Sequence, residues 1–232
     1  MHIMEGFLPW QWCIFWYLVS APFIIYGVYL LNRRVRENRE TLSLLAVSGA
    51  FIFLLSSLKM PSPVAGSCSH PTGTGLSTVL FGPITTCVLS LIVLVFQALF
   101  LAHGGITTLG ANVFSMGIAG PLLGYAVYRL GRAVNLNPFA NIFLVTAIAD
   151  LFTYVVTAVE LAAAFPATQG GFLVSFGTFF AIYAVTQVPL AILEGALIAL
   201  VFKYIVQSRS DILVKLKVLT PVQVTKIMES FA

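Results

Sequence analysis

Charge is scarce in this sequence. Asp, Glu, Lys and Arg together make up 9% of its 232 residues, while 59% are hydrophobic. Soluble domains carry roughly 25% charged residues, so a mean hydropathy of +0.99 excludes that class and implies an integral membrane protein. Cysteine is scarce as well. Cys13, Cys68 and Cys87 are odd in number and scattered among or beside apolar runs, which excludes a disulfide framework. No HExxH pattern or GxSxG elbow occurs, and Gly73-Thr74-Gly75 lacks the following Gly-Lys-Ser/Thr of a Walker A loop. The chain therefore cannot hydrolyse ATP by itself. The net charge of +4 makes no nucleic-acid surface, because the basic residues gather at the ends of apolar runs.

That gathering sets a topology. Residues 8–31 form a charge-free run long enough to cross a hydrocarbon core of roughly 30 Å, with Trp10, Trp12 and Trp16 as interfacial anchors. No Lys or Arg precedes this run and it is too long for a signal-peptide core, so it reads as an uncleaved transmembrane helix. Arg33, Arg34, Arg36 and Arg39 follow it, which places them inside and the amino terminus outside. Residues 42–58 return across the membrane and deliver the Pro-, Gly- and Ser-rich stretch 59–77 to the outer side. Residues 79–102 form the next strong run, and 106–128 a weaker one broken by Gly110, Gly117, Gly120 and Pro121. Keeping Arg129 and Arg132 inside requires an odd number of crossings between Ser77 and Arg129. Three are expected, with the Gly-rich stretch supplying short or interrupted helices around a cavity. On this count His103, after the third span, falls on the inner side. Residues 139–165 and 172–202 are the last spans, giving about seven crossings and a cytoplasmic carboxyl end. A short amphipathic helix is expected over 212–219.

Few residues can carry chemistry, and the first two are foremost. With Met1 retained, which the bulky second residue favours, its amine, the His2 amide nitrogen and His2 Nδ1 close two fused chelate rings around one metal ion. Displacing the amide proton takes a metal that gains strongly from in-plane nitrogens: Ni(II) or Cu(II), with Co(II) also accessible. His70, in SCSHPTG, emerges on the same side and offers a fourth nitrogen; Pro71 holds it extended. Cys68 reads mainly as a packing residue, although with His70 and His103 it could instead build a tetrahedral zinc site. Ser67, Ser69, Thr72 and Thr74 would hydrogen-bond within the loop and orient the imidazole. Asp150, Glu160 and Glu194 lie inside apolar spans, where an ionisable group is a functional candidate or a polar helix contact.

MHIMEGFLP, GSCSHPTGTG with the following LFGP, AHGGITTLGAN with FSMGIAGPLLGY, and AVELAAAFP occur in this order. Together they resemble the membrane-embedded substrate-capture (S) component of cobalt and nickel energy-coupling-factor (ECF) transporters, the CbiM/NikM family, from Met1 to about Tyr204. The resemblance implies an all-α integral membrane protein with a six-helix S-component core and one extra amino-terminal helix. It implies a membrane domain over 1–207, with the metal-binding segment and extra helix at 1–31 and the core at 41–207, ahead of a cytoplasmic tail at 208–232. It implies metal ligation by the Met1 amine, the amide and imidazole of His2, and His70. The ion, Ni(II) or Co(II), is substrate and no cofactor is needed. The implied setting is a prokaryotic cell membrane. The implied partners are a transmembrane coupling subunit, ATPase subunits and a small accessory membrane subunit, with Ala46 and Ala50 on the face that docks the coupling subunit. The loop before the motif, with a second proline at Pro63, departs from the family pattern.

Two other classes compete. An intramembrane enzyme would use Asp150, Glu160 or His103, but no base is paired with a nucleophile. A vitamin-binding capture subunit would need an open apolar pocket with polar anchors.

Overall fold

A computed structural model describes residues 2–37, 39–61 and 66–230 of the chain. The long helices are α1 (Trp10–Glu37), α2 (Glu40–Ser56), α4 (Pro83–Leu101), α7 (Pro138–Ala164) and α8 (Gly171–Lys215). A short α3 (Thr74–Phe81) precedes α4, and α9 (Pro221–Glu229) ends the chain. Between α4 and α7 one continuous helical stretch consists of α5 (Leu109–Asn112), a π-helical segment Val113–Ala119, and α6 (Gly120–Ala133). Three very short strands, β1 (His2–Ile3), β2 (Met60–Pro61) and β3 (Ser67–Ser69), form an antiparallel sheet in the order β1-β3-β2. Five of the helical stretches are long and apolar enough to cross a membrane by length and composition, and α2 is a shorter apolar helix.

The bundle has a histidine end, with His2, His70 and His103, and an arginine end. α1 runs from the first to the second, where Arg34 Nη1 donates to the last carbonyl of α3, on Phe81 (2.5 Å), and to Thr85 Oγ1 (3.1 Å). A cation at the carbonyl end of a helix complements its dipole. Midway, α1 touches α4 at Gly27. A Cβ there would stand 2.6 Å from Val88 Cγ2 and 2.9 Å from the Ile84 carbonyl, so only glycine allows this approach.

Three helical passes, α3, α4 and the stretch Leu109–Ala133, separate His70 from Arg129, an odd number as expected, yet the additional pass is not where the sequence suggested. The Gly-rich stretch is one helix, Leu109–Ala133, with a π-helical segment, rather than short or interrupted pieces. The additional pass is α3, which descends to Phe81; after Gly82 (φ 83°), α4 starts at Pro83 and climbs back. α3 is short because the chain above it, residues 70–73, is not helical and ends in the left-handed turn at Gly73. A hydropathy window fuses α3 into the run that follows. The consequence is that α4 ends at the histidine end, so the expected inner position of His103 is wrong.

The arginine end also differs from expectation. The tail helix covers Pro221–Glu229 rather than 212–219, since α8 continues to Lys215 through a non-helical residue at Arg209 (φ −144°, ψ 50°). Thr220 caps α9 by a reciprocal bond with Gln223, a capping box. Between the helices Val218 and Leu219 are buried against Tyr128, Ile142 and Phe202.

Candidate metal centre

β1 enters the bundle because its backbone finds partners there. Ile3 N–H donates to Asn112 Oδ1 (2.7 Å), and the Ile3 carbonyl accepts from Thr108 Oγ1 (2.7 Å) and Asn112 Nδ2 (3.0 Å). Ile3 itself is fully buried against Trp16, Tyr154 and Leu161. Met4 N–H donates to the Gly66 carbonyl (2.9 Å), and the Glu5 carboxylate accepts from Thr107 N–H (3.1 Å). Just before β3, Gly66 (φ 93°) lies against the Phe7 ring, leaving no room for a Cβ. The β1–β3 register sets His2 opposite Cys68.

The His70 loop is fastened by hydrogen bonds from two helices, α7 and α8. His70 N–H donates to Tyr154 Oη (3.0 Å), and the Tyr154 hydroxyl donates to the His70 carbonyl (2.7 Å). Gln187 Nε2 bridges that carbonyl (3.4 Å) and Asp150 Oδ2 (2.6 Å). Glu194 accepts from Thr72 N–H (2.7 Å), Gly73 N–H (2.8 Å) and Thr72 Oγ1 (3.2 Å). A carboxylate thus sits at the first turn of α3, where helix N–H groups are unpaired. Gly73, at φ 72° and against the Ile52 backbone, must be glycine. Ser67 and Ser69 point outward from β3 to the Tyr183 (2.8 Å) and Thr186 (2.9 Å) hydroxyls, so they anchor the strand from behind.

His2 Nδ1 stands 2.5 Å from His70 Nε2, both side chains fully buried. His70 Nδ1 is 2.9 Å from the Pro71 carbonyl. A carbonyl only accepts, so Nδ1 carries the proton and the Nε2 lone pair faces His2. His103 lies over the His2 ring, centroids 4.1 Å apart and planes 33° apart, and its Nε2 is 2.9 Å from Cys68 Sγ. One ligand atom from each of His2, Cys68, His70 and His103 falls within 4.8 Å of the others. His2 Nε2 and His103 Nδ1 have no hydrogen-bond partner among the described residues. Burial, reinforced by the neighbouring imidazoles, holds His2 well below the usual histidine range; burial does the same to His70, and brings His103 to about 3. All three are neutral at pH 7, the form that binds a metal. Burial raises the Cys68 thiol.

Of the residues singled out in the sequence, His2 and His70 meet directly. Met1 and residues 62–65 lie outside the described residues. Cys68 and His103 join the cluster, which the charge count had denied to His103. Asp150 and Glu194 act as anchors of the His70 loop, by way of Gln187 and directly. Glu160 is buried on α7 apart from this cluster, and its carboxylate oxygens have no hydrogen-bond partner among the described residues. Asn112, Thr108, Tyr154, Gln187 and Gln97 were not foreseen as site residues. Asn112 and Thr108 are inside the AHGGITTLGAN motif; the others are single polar residues in apolar helices, the only signal they gave.

Residues 2–212 match the CbiM family, described as a cobalt uptake substrate-specific transmembrane region. A putative cobalt transport protein CbiM 1 of Methanosphaerula palustris is 67% identical over 232 residues, covering 100% of both chains. A cobalt transport protein CbiM of a Nostoc species is 56% identical over 205 residues, 88% of this chain and 78% of the relative. Among solved structures, a transition metal transporter superposes with a TM-score of 0.76 at 25% identity, covering 90% of this chain and 95% of the other.

Proposed function

This chain belongs to the CbiM family and is a membrane component of cobalt uptake, and on that premise we propose that it captures one divalent ion in a planar nitrogen site made by Met1, His2 and His70. The terminal amine, the His2 amide nitrogen, His2 Nδ1 and His70 Nε2 are the four donors. The observation that carries this reading is the 2.5 Å separation of His2 Nδ1 and His70 Nε2. Metal–nitrogen bonds of about 2.0 Å set cis donors in a plane about 2.8 Å apart and tetrahedral donors about 3.3 Å apart. The observed separation favours the planar arrangement over the zinc-like one. Both Co(II) and Ni(II) suit it, the second on chemistry alone.

The histidine end faces outward and the arginine end the cytoplasm, by the positive-inside rule. The ion enters under the 59–77 loop. It leaves inward when a transmembrane coupling subunit, driven by ATPase subunits, reorients the protein; a small accessory membrane subunit assists. Residues 1–207 are the membrane domain and 208–232 the cytoplasmic tail. Ala46 and Ala50 line an apolar groove between α2 and α4 with Phe53, Leu89 and Phe96, a surface suited to the coupling subunit. A vitamin pocket is disfavoured because β1 and the imidazoles fill the space such a ligand would need.

Nickel and cobalt bound per chain are to be measured by elemental analysis on protein purified with its native amino terminus. About one ion is expected in the wild type. Binding should be lost in His2→Ala, in His70→Ala and in a variant with one residue inserted before His2. Undiminished binding by the insertion variant would overturn the chelate.

A further inference from the structure

We propose that Cys68 supplies a fifth, axial donor to cobalt in the His2–His70 site, that His103 positions it, and that this donor favours Co(II) over planar Ni(II). The inference rests on the chelate reading above and deepens it.

The sheet aims the sulfur at the site. Cys68 is the cross-strand partner of His2, and residues two apart on a strand share a face. Cys68 and His70 therefore project together toward His2. Cys68 Sγ lies within 4.8 Å of a ligand nitrogen on each of the three histidines. The fused chelate makes the His2 ring part of the metal plane. His103 covers one face of that ring at 4.1 Å, the side on which an axial ligand would stand, and the Cys68 sulfur is hydrogen-bonded to its Nε2 at 2.9 Å. Close packing holds the chain next to His103 against His2: a Cβ on Gly104 would stand 2.9 Å from His2 Cδ2 and 3.2 Å from Asn112 Nδ2.

Metal choice follows from electron count. Ni(II) in a strong nitrogen plane is d8 and gains by emptying its in-plane antibonding orbital; an axial donor opposes that gain. Co(II), d7, keeps one electron in the axial orbital and accepts a fifth ligand readily. Geometry and donor type then discriminate where affinity for nitrogen alone would not. On binding, the Cys68 S–H bond breaks, its proton is released to solvent, and the sulfur lone pair forms the bond to the metal, with no change of oxidation state. His103 keeps the sulfur aimed through its Nε2.

Co(II) and Ni(II) are titrated separately into the full chain with its native amino terminus, following absorption spectra and competition-derived affinities. Wild-type protein should show a thiolate-to-cobalt charge-transfer band in the near ultraviolet. Cys68→Ala should abolish the band and weaken Co(II) binding about 10-fold while changing Ni(II) binding less than about 3-fold. His103→Phe keeps a ring against His2 and should weaken the band and lower cobalt affinity by no more than the roughly 10-fold lost in Cys68→Ala, the low end of what an outer-shell partner contributes; His103→Asn should restore part of both. A wild-type cobalt complex without the band, or equal weakening of both metals in Cys68→Ala, would overturn the proposal. Nickel binding that survives an inserted residue before His2 would instead remove the chelate reading beneath it.

Discussion

His2 Nδ1 and His70 Nε2 stand 2.5 Å apart across 68 residues of sequence. Because His70 keeps its proton on Nδ1, the shared proton in the metal-free pair belongs to His2 Nδ1. A metal ion can take Nδ1 only when that proton leaves it, so the neutral His2 ring switches tautomer and carries its single proton on Nε2.

That proton needs an acceptor, and Gln97 is placed to be it. Its side chain neighbours that of His2, whose Nε2 has no hydrogen-bond partner among the described residues. Gln97 Nε2 is already engaged by Ser56 Oγ (2.7 Å) and Ser57 Oγ (3.2 Å), while Oε1 has no partner among the described residues. Gln97→Leu should lower metal affinity about 10–100-fold, the usual cost of removing an outer-shell partner. Calorimetric titration with Ni(II) checks this; an unchanged dissociation constant would mean Gln97 plays no part.

Asn112 should matter as much as a ligand without being one. Asn112→Ala strips Ile3 N–H of its acceptor in a fully buried place, costing about 2 kcal/mol. Metal affinity should fall about 30-fold. Hydrogen exchange at Ile3 and Met4 should accelerate in the metal-free protein, whereas the helices should exchange as before.

Glu194→Ala leaves the Thr72 and Gly73 amides unpaired and should lower stability by about 2 kcal/mol together with metal binding. Glu194→Gln retains one acceptor oxygen and should recover part of both. Thermal unfolding in detergent, read beside metal content, separates a loosened loop from a lost fold.

The buried imidazoles make docking of the amino-terminal segment acid-sensitive. His2, His70 and His103 titrate below the ordinary value of about 6.5, the last at about 3. Between those limits the undocked segment binds more protons than the docked one. Stability of docking is therefore complete above about pH 6.5 and falls as pH drops toward the lowered values, by up to about 1.4 kcal/mol per pH unit for each histidine. Proteolysis of the segment in metal-free protein between pH 7.5 and 5 should show protection lost on the acid side. Equal protection throughout would contradict the burial of these rings.

The sequence by itself determined the membrane class and the long spans outside residues 74–133, and it put His2 and His70 on one side of the membrane, with the family motifs joining them. Apolar length and arginine position are local properties that a bilayer reads directly. The family resemblance was legible because its motifs are contiguous. Tertiary structure alone decided the rest. α3 is too short for a hydropathy window, and it exists because Glu194, Tyr154 and Gln187, from helices far along the chain, satisfy the non-helical backbone above it. That one short helix reverses the direction of α4 and brings His103 to His2. A hydropathy pattern counts residues facing lipid; it carries no record of which buried polar atoms find each other once the helices have packed.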